Sequence, residues 1–286
     1  MGSVAAMIEI GVSTSCVFPL GPEHAFRLAR EAGFDGVEVM VTSDSATQDA
    51  TRIRRLSDRY GMPVLSVHAP VLFLTPFVFG RDPRIKLDRS AALAVDLGAP
   101  HVVVHPPFRW QNGYAMRFED IVRETANRHG VTLAVENMFP WRIGPRQVAG
   151  YAPSPNPLDL DVDAMTLDFS HAALAGVNSL EMATAMGDRL RHVHLTDGAV
   201  SADEGAVLDA HLVPGRGTQP VDEVLQMLAA KDWDGTIVAE VKTKESNGQT
   251  RLGMLKETVA FAREHLSQTA VVHEPLPVPT RRRRGA

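Results

Sequence analysis

Residues 85–105 read IKLDRSAALAVDLGAPHVVVH, and this stretch joins two patterns that cannot belong to one element. Its first part repeats apolar residues at helical spacing and stops at Gly98, a residue suited to a left-handed helix C-cap. Its last five residues, His101 to His105, form a β-branched run that predicts a short strand buried on both faces. The alternation continues on both sides. IEIGVS at 8–13, VEVMV at 37–41 and VLSVH at 64–68 precede it, and TLAVE at 132–136, MTLDF at 165–169, RHVHL at 191–195 and TIVAEV at 236–241 follow it. Amphipathic stretches such as PEHAFRLAREAG, TRIRRLSDRYG, FEDIVRETANRHG and VDEVLQMLAAK separate these runs. Eight strand–helix units over this length predict an α/β fold, a single closed (β/α)8 barrel rather than an open sheet. The barrel is expected over residues 7–268, after a dispensable extension at 1–6 and before a Pro/Arg-rich tail at 269–286.

The composition agrees with that architecture and excludes others. With 286 residues, 44% hydrophobic and 22% charged, the chain is neither disordered nor collagen-like. Cys16 stands alone and cannot form an internal disulfide. The start MGSVAAMIEIGV lacks the cationic and long apolar regions of a secretory signal, so a cytoplasmic location is expected. No run approaches the roughly 18 apolar residues of a membrane helix, so no membrane partner is expected. The net charge of −5 includes the cations of Arg281 to Arg284, which leaves the body more acidic still. There is thus no overall electrostatic case for nucleic acid, although a local basic patch is left open.

The residues with chemistry fall at the C-terminal ends of the expected strands, where a barrel builds its site. These are His68, His105, Glu136, Asp168 with His171 just beyond it, His194 and Glu240, joined by Asp209 and His211 in the loop after the seventh strand. A single strand-end histidine is ordinarily a hydrogen-bonded polar residue, and a single carboxylate a cap or surface charge. As a set they read differently. Glu136 in LAVEN and Glu240 in IVAEV are charges within apolar strands, costly unless paired with a cation or a network. The mixture of imidazole and carboxylate suits a divalent ion such as Zn or Mn. Arg216 in PGRG, Trp110, Phe139 and Trp141 are candidate substrate contacts, the arginine for phosphate or hydroxyl and the aromatic rings for stacking on a sugar or walling off solvent. His192 reads as a histidine one layer below His194, His101 as structural, and Cys16 as a packing residue.

The ordered motifs LSVHAP, VVVHPP, AVEN, LDFSH, VHLTDG, DAHLVPGRG and AEVK resemble the xylose isomerase-like TIM barrels, a superfamily that also contains endonuclease IV (AP endonuclease family 2). In the isomerase and epimerase branch, the resemblance implies one divalent ion held by Glu136, Asp168, His194 and Glu240. In the endonuclease branch it implies three zinc ions on His68, His105, Glu136, Asp168, His171, His194, Asp209, His211 and Glu240. The DNA-contacting features of that branch are missing, since the aromatic position after His68 holds Val71 and no arginine follows the second strand.

The resemblance therefore implies a metal-dependent enzyme acting on a small sugar or sugar phosphate by isomerisation or epimerisation, with Glu136 and Glu240 as the acid/base pair. The alternative is an endonuclease IV-like phosphoester hydrolase with a trinuclear zinc site. One to three ions, a small-molecule sugar partner and an open question of homo-oligomerisation complete the expectation.

Overall fold

Ten short strands carry the chain: β1 (Ile10–Ser13), β2 (Gly36–Met40), β3 (Val64–His68), β4 (His101–Val104), β5 (Thr132–Glu136), β6 (Trp141–Ile143), β7 (Arg146–Val148), β8 (Met165–Asp168), β9 (Leu190–Leu195) and β10 (Thr236–Ala239). They belong to a computed structural model that describes residues 8–71, 77–143, 146–148, 150–199, 209–231, 233–243 and 250–267. Eight of the strands close into a parallel barrel in the order β1-β10-β9-β8-β5-β4-β3-β2, with β1 paired to β2 on one side and β10 on the other. This is the (β/α)8 architecture that the alternating runs predict. The extension at 1–6 and the tail at 269–286, with its four arginines, lie outside the described residues.

The principal helices are α1 (Pro22–Ala32), α2 (Ala50–Tyr60), α3 (Pro83–Leu97), α4 (Asn112–Ala115), α5 (Phe118–His129), α6 (Phe169–Ala175), α7 (Ser179–Met186), α8 (Val221–Ala230) and α9 (Arg251–Ser267). Asp82 caps α3 through the N–H of Arg84, and Gly98 ends it at φ +70°, as the sequence predicts. Phe26, Ile53, Phe118 and Leu225 are buried on these helices. Each such side chain contributes about 1.5–3 kcal/mol relative to exposure. Among the described residues, no helix is long and apolar enough to cross a membrane.

The barrel interior is unusually polar. Glu38 on β2 and Ser66 on β3 meet His192 on β9, a strand adjacent to neither, so these contacts cross the barrel. The period-two alternation of a strand explains the layering: His192 and His194 share the inner face of β9, while Val193 and Leu195 belong to the apolar core. The segment after β5 contains the antiparallel hairpin β6–β7, outside the barrel.

Candidate metal centre and active site

β5, β8, β9 and β10 bring Glu136, Asp168, His194 and Glu240 together at the barrel mouth. The Nδ1 of His194 lies 3.0 Å from Glu136 Oε1, 3.1 Å from Glu240 Oε2 and 3.8 Å from Asp168 Oδ2. One ligand atom from each of the four fits within 4.8 Å of the others. Asp168 is doubly fixed, as its Oδ1 accepts the N–H of His171 at 2.7 Å and its own N–H donates to Asn137 at 2.7 Å. Its other carboxylate oxygen, Oδ2, is buried without a hydrogen-bond partner. A buried carboxylate oxygen without a partner, beside ligand atoms of two further carboxylates and an imidazole, is expensive unless a cation joins them, so the donor set fits a divalent ion.

The remaining sequence candidates surround this core. Glu136 Oε2 is 2.8 Å from His105 Nε2 and 3.5 Å from His68 Nε2. On the other side, Asp209 Oδ2 is 2.6 Å from His211 Nε2 and 3.6 Å from His171 Nε2. Asp168, His171 and His211 form a second group whose ligand atoms lie within 4.8 Å of one another. All nine residues therefore converge on one mouth, as their strand-end positions predict.

Three of these imidazoles are oriented by backbone carbonyls. His68 Nδ1 donates to Ala69 O at 2.8 Å, His171 Nδ1 to Asn137 O at 3.0 Å and His211 Nδ1 to Glu240 O at 2.6 Å. For His68 and His211 this leaves Nε2 facing Glu136 and Asp209, the arrangement that prepares histidine as a metal ligand, whereas His171 keeps Nδ1 3.2 Å from Glu136 Oε1 as well as Nε2 3.6 Å from Asp209. Asp209 is held by the Ser170 hydroxyl, which donates to its Oδ1 at 2.7 Å.

The electrostatics reflect a crowded buried cluster. Burial opposes ionisation of Glu136, but the imidazoles of His194 and His105 outweigh it and hold the carboxyl well below its usual range. Burial likewise opposes charging of His194, yet Glu240, Glu136 and Glu38 raise it well above an ordinary histidine. For Asp168, burial wins and its carboxyl is raised. His211 is raised to about 9 because Asp168 and Asp209 overcome its burial.

A cavity of about 710 Å³ opens over this floor. Phe18, Val71, Met138, Phe139 and Tyr151 give it an apolar wall, and Lys242 and Arg251 contribute cations. The proposed contacts Arg216, Trp110 and Trp141 lie elsewhere. Arg216 forms a two-pronged pair with Glu257 on α9, its Nε 3.0 Å and its Nη2 2.5 Å from the carboxylate. Trp110 stacks on Phe108 at 4.5 Å, and Trp141 packs against Phe108 and Tyr151 at 5.5 and 6.0 Å. The indoles therefore buttress the aromatic cluster behind Tyr151, while Phe139, the third aromatic candidate, lines the cavity together with Tyr151.

The PGRG motif has a structural explanation. Asp197, buried just beyond β9, accepts N–H groups from Gly198, Gly215, Gly217 and Gln219 at 2.8, 3.0, 2.9 and 3.2 Å. A Cβ on Gly217 would stand 2.2 Å from Asp197 Oδ1, so only glycine allows this wrap. The loop pairs back through Leu212 on Asp197, which places His211 and Asp209 at the mouth.

One participant escaped the sequence reading. Glu38 is fully buried on β2, 3.1 Å from His192 and 3.4 Å from His194. Its signal was available, since VEVMV embeds a carboxylate in an apolar strand just as LAVEN and IVAEV do. His192 and His101 take the deeper and structural positions expected of them, and the Cys16 thiol packs against Ala239 O at 3.3 Å.

Comparison with known proteins places this geometry among relatives. The family model described as xylose isomerase-like TIM barrel matches residues 26–265. An uncharacterized protein of Mycobacterium tuberculosis is 47% identical over 280 residues, covering 91% of this chain and 98% of its own. The fructoselysine 3-epimerase of Escherichia coli O157:H7 is 24% identical over 253 residues, covering 79% of this chain and 87% of its own. The crystal structure of a D-tagatose 3-epimerase-like protein superposes with a TM-score of 0.66 at 25% identity, covering 91% of this chain and 97% of that one.

Proposed function

The chain belongs to the xylose isomerase-like TIM barrel family, and on that premise we propose that it is a divalent-metal-dependent isomerase or epimerase of a small sugar or sugar phosphate. The observation that carries this reading is the convergence of Glu136 and Glu240 on His194 Nδ1, at 3.0 and 3.1 Å, beside the orphaned Oδ2 of Asp168. A relative named fructoselysine 3-epimerase and a solved structure named D-tagatose 3-epimerase-like protein support a sugar substrate.

Glu136, Asp168, His194 and Glu240 are the residues that would hold the ion. When bound, a divalent ion supplies Lewis-acid polarisation of the substrate carbonyl and stabilises the negative charge that develops on its oxygen. Glu136 presents an acceptor carboxylate at the mouth, positioned to take the proton from the carbon next to that carbonyl. For epimerisation Glu240 enters the turnover carrying a proton, gives it to the opposite face of the same carbon and is left ionised. Glu136 keeps the proton it took, and exchange with water resets both. For isomerisation Glu136 hands its proton on to the neighbouring carbon. The Ser15 hydroxyl donates to Glu240 Oε1 at 3.2 Å and keeps that carboxylate at the mouth. Phe139 and Tyr151 give the cavity an apolar wall against which the carbon face of a sugar can pack.

The test is conversion of ketohexoses such as fructose, tagatose and psicose, followed by chromatography with and without added Mn²⁺ or Zn²⁺. Metal-dependent formation of an epimer or aldose supports the reading, and inertness of a metal-loaded, folded protein toward ketoses, aldoses and their phosphates removes it.

A second reading rests on Asp209 and His211. With Asp168 and His171 they offer donors for further ions, the set that phosphoester hydrolysis at a multinuclear centre would use. Metal content of the parent and of a D209A/H211A variant separates the two. Close to three zinc ions, falling in the variant, favours the hydrolase, and one ion unaffected by the variant favours the isomerase.

A further inference from the structure

His194 is oriented differently from its neighbours. His68 and His211 turn Nε2 toward the carboxylates because a backbone carbonyl takes the proton of Nδ1. His194 instead turns Nδ1 toward Glu136, Glu240 and Asp168. It lies within β9, where the carbonyls are committed to the ladders with β8 and β10, so none is supplied to its ring. What faces its Nε2 is the Oε1 of Glu38, 3.4 Å away. Both atoms are buried, and neither has a hydrogen-bond partner among the described residues, so each is the nearest complement the other is offered.

We infer that Glu38 is a positioning residue for His194, accepting the Nε2–H so that the Nδ1 lone pair is presented to the metal. This rests on the proposed metal centre and adds a residue to it. A carboxylate behind a ligating imidazole selects the tautomer, fixes the ring plane and raises the basicity of the ligating nitrogen.

Glu38 is itself held from the far side. Ser66 Oγ donates to its Oε2 at 2.8 Å, and His192 Nε2 lies 3.1 Å from the same oxygen. With Oε2 fixed by β3 and β9, Oε1 is left directed at His194. The stack of Ser66, Glu38 and His194 thus carries orientation from the barrel interior to the mouth. The arrangement also explains why a carboxylate is retained in a fully buried strand position, where an unpaired charge would destabilise the fold.

Zinc affinity of the metal-free parent, Glu38→Leu and Glu38→Gln, measured by competition with a chromophoric chelator, tests the assignment. The leucine variant removes the acceptor and is expected to bind zinc about 10–100-fold more weakly. The glutamine variant keeps an acceptor oxygen and should fall between it and the parent. Equal affinity in all three overturns the role of Glu38 while leaving the metal centre standing, whereas a parent that takes up no zinc overturns both. If the leucine variant does not fold, the zinc-loaded parent decides the matter. Long-range ¹H–¹⁵N spectra, with His194 assigned by its loss in His194→Asn, should show a proton on Nε2 and a ligated Nδ1. A ligated Nε2 would contradict the inference.

Discussion

Glu136 Oε1 and His194 Nδ1 stand 3.0 Å apart across the barrel mouth, although 58 residues separate them in the chain. The strands that carry them, β5 and β9, are not neighbours, for β8 lies between them. Closure of the sheet is therefore what makes the pair, and the same closure adds Glu240 from β10. The chemistry proposed here follows from that convergence.

Replacing Glu136 or Glu240 with Gln preserves shape and removes the group that moves a proton. Each variant should lose about 10²–10⁴-fold in kcat, the usual contribution of a general acid or base. Steady-state kinetics on the substrate identified by screening checks this. Retention of more than a tenth of parental kcat would deny that carboxylate its role.

Arg216 offers a contrast. It pairs with Glu257 on α9, so Arg216→Ala should leave KM close to the parental value. The exposed ion pair is worth about 0.2–1 kcal/mol, so the melting temperature should move little. A tenfold rise in KM would return this arginine to the substrate.

The loop beyond β9 depends on Asp197 as an acceptor for four backbone N–H groups. Asp197→Asn turns an amide toward donors it cannot satisfy, and about 3 kcal/mol of stability should be lost. Because the loop carries Asp209 and His211, any second metal equivalent should weaken with it. Chemical denaturation and metal content measured on one preparation test both consequences.

His101 makes the fold acid-sensitive. It lies in the barrel interior against Thr236 and below His192, with Arg191 and Asp234 also nearby, and burial lowers its pKa to about 4. Between the ordinary histidine value and that figure, the unfolded chain binds the proton and the folded chain does not. Its contribution to stability is therefore intact above about pH 6.5, falls as pH drops toward 4, and amounts to about 3 kcal/mol. Thermal melts from pH 7 to 4.5 should show a steeper loss for the parent than for His101→Gln. Parallel curves would show that this histidine is not the source.

Much of this architecture was legible in the chain. The β-branched runs and Gly-terminated helices sufficed for the barrel, because a strand buried on both faces leaves little choice of residue. Glu136 and Glu240 stood out as charges in apolar strands. Glu38 carried the same signal in VEVMV, but it precedes the strand end and so lay below the layer that the site-at-the-mouth rule selects. Arg216, Trp110 and Trp141 were placed in the right loops, but which way a loop side chain turns depends on tertiary partners such as Glu257 and Phe108, which local sequence does not encode.

The most direct test of the proposed chemistry is solvent hydrogen exchange at the substrate carbon. The protein, reconstituted with Mn²⁺ or Zn²⁺, is incubated in D₂O with fructose, tagatose, psicose and their phosphates, and deuterium is located by NMR. A proton-transfer isomerase or epimerase should place deuterium on the carbon next to the carbonyl of at least one of them. That incorporation should vanish on chelation and in Glu136→Gln. Incorporation that persists in Glu136→Gln and Glu240→Gln, or none at all from the metal-loaded protein, would contradict it.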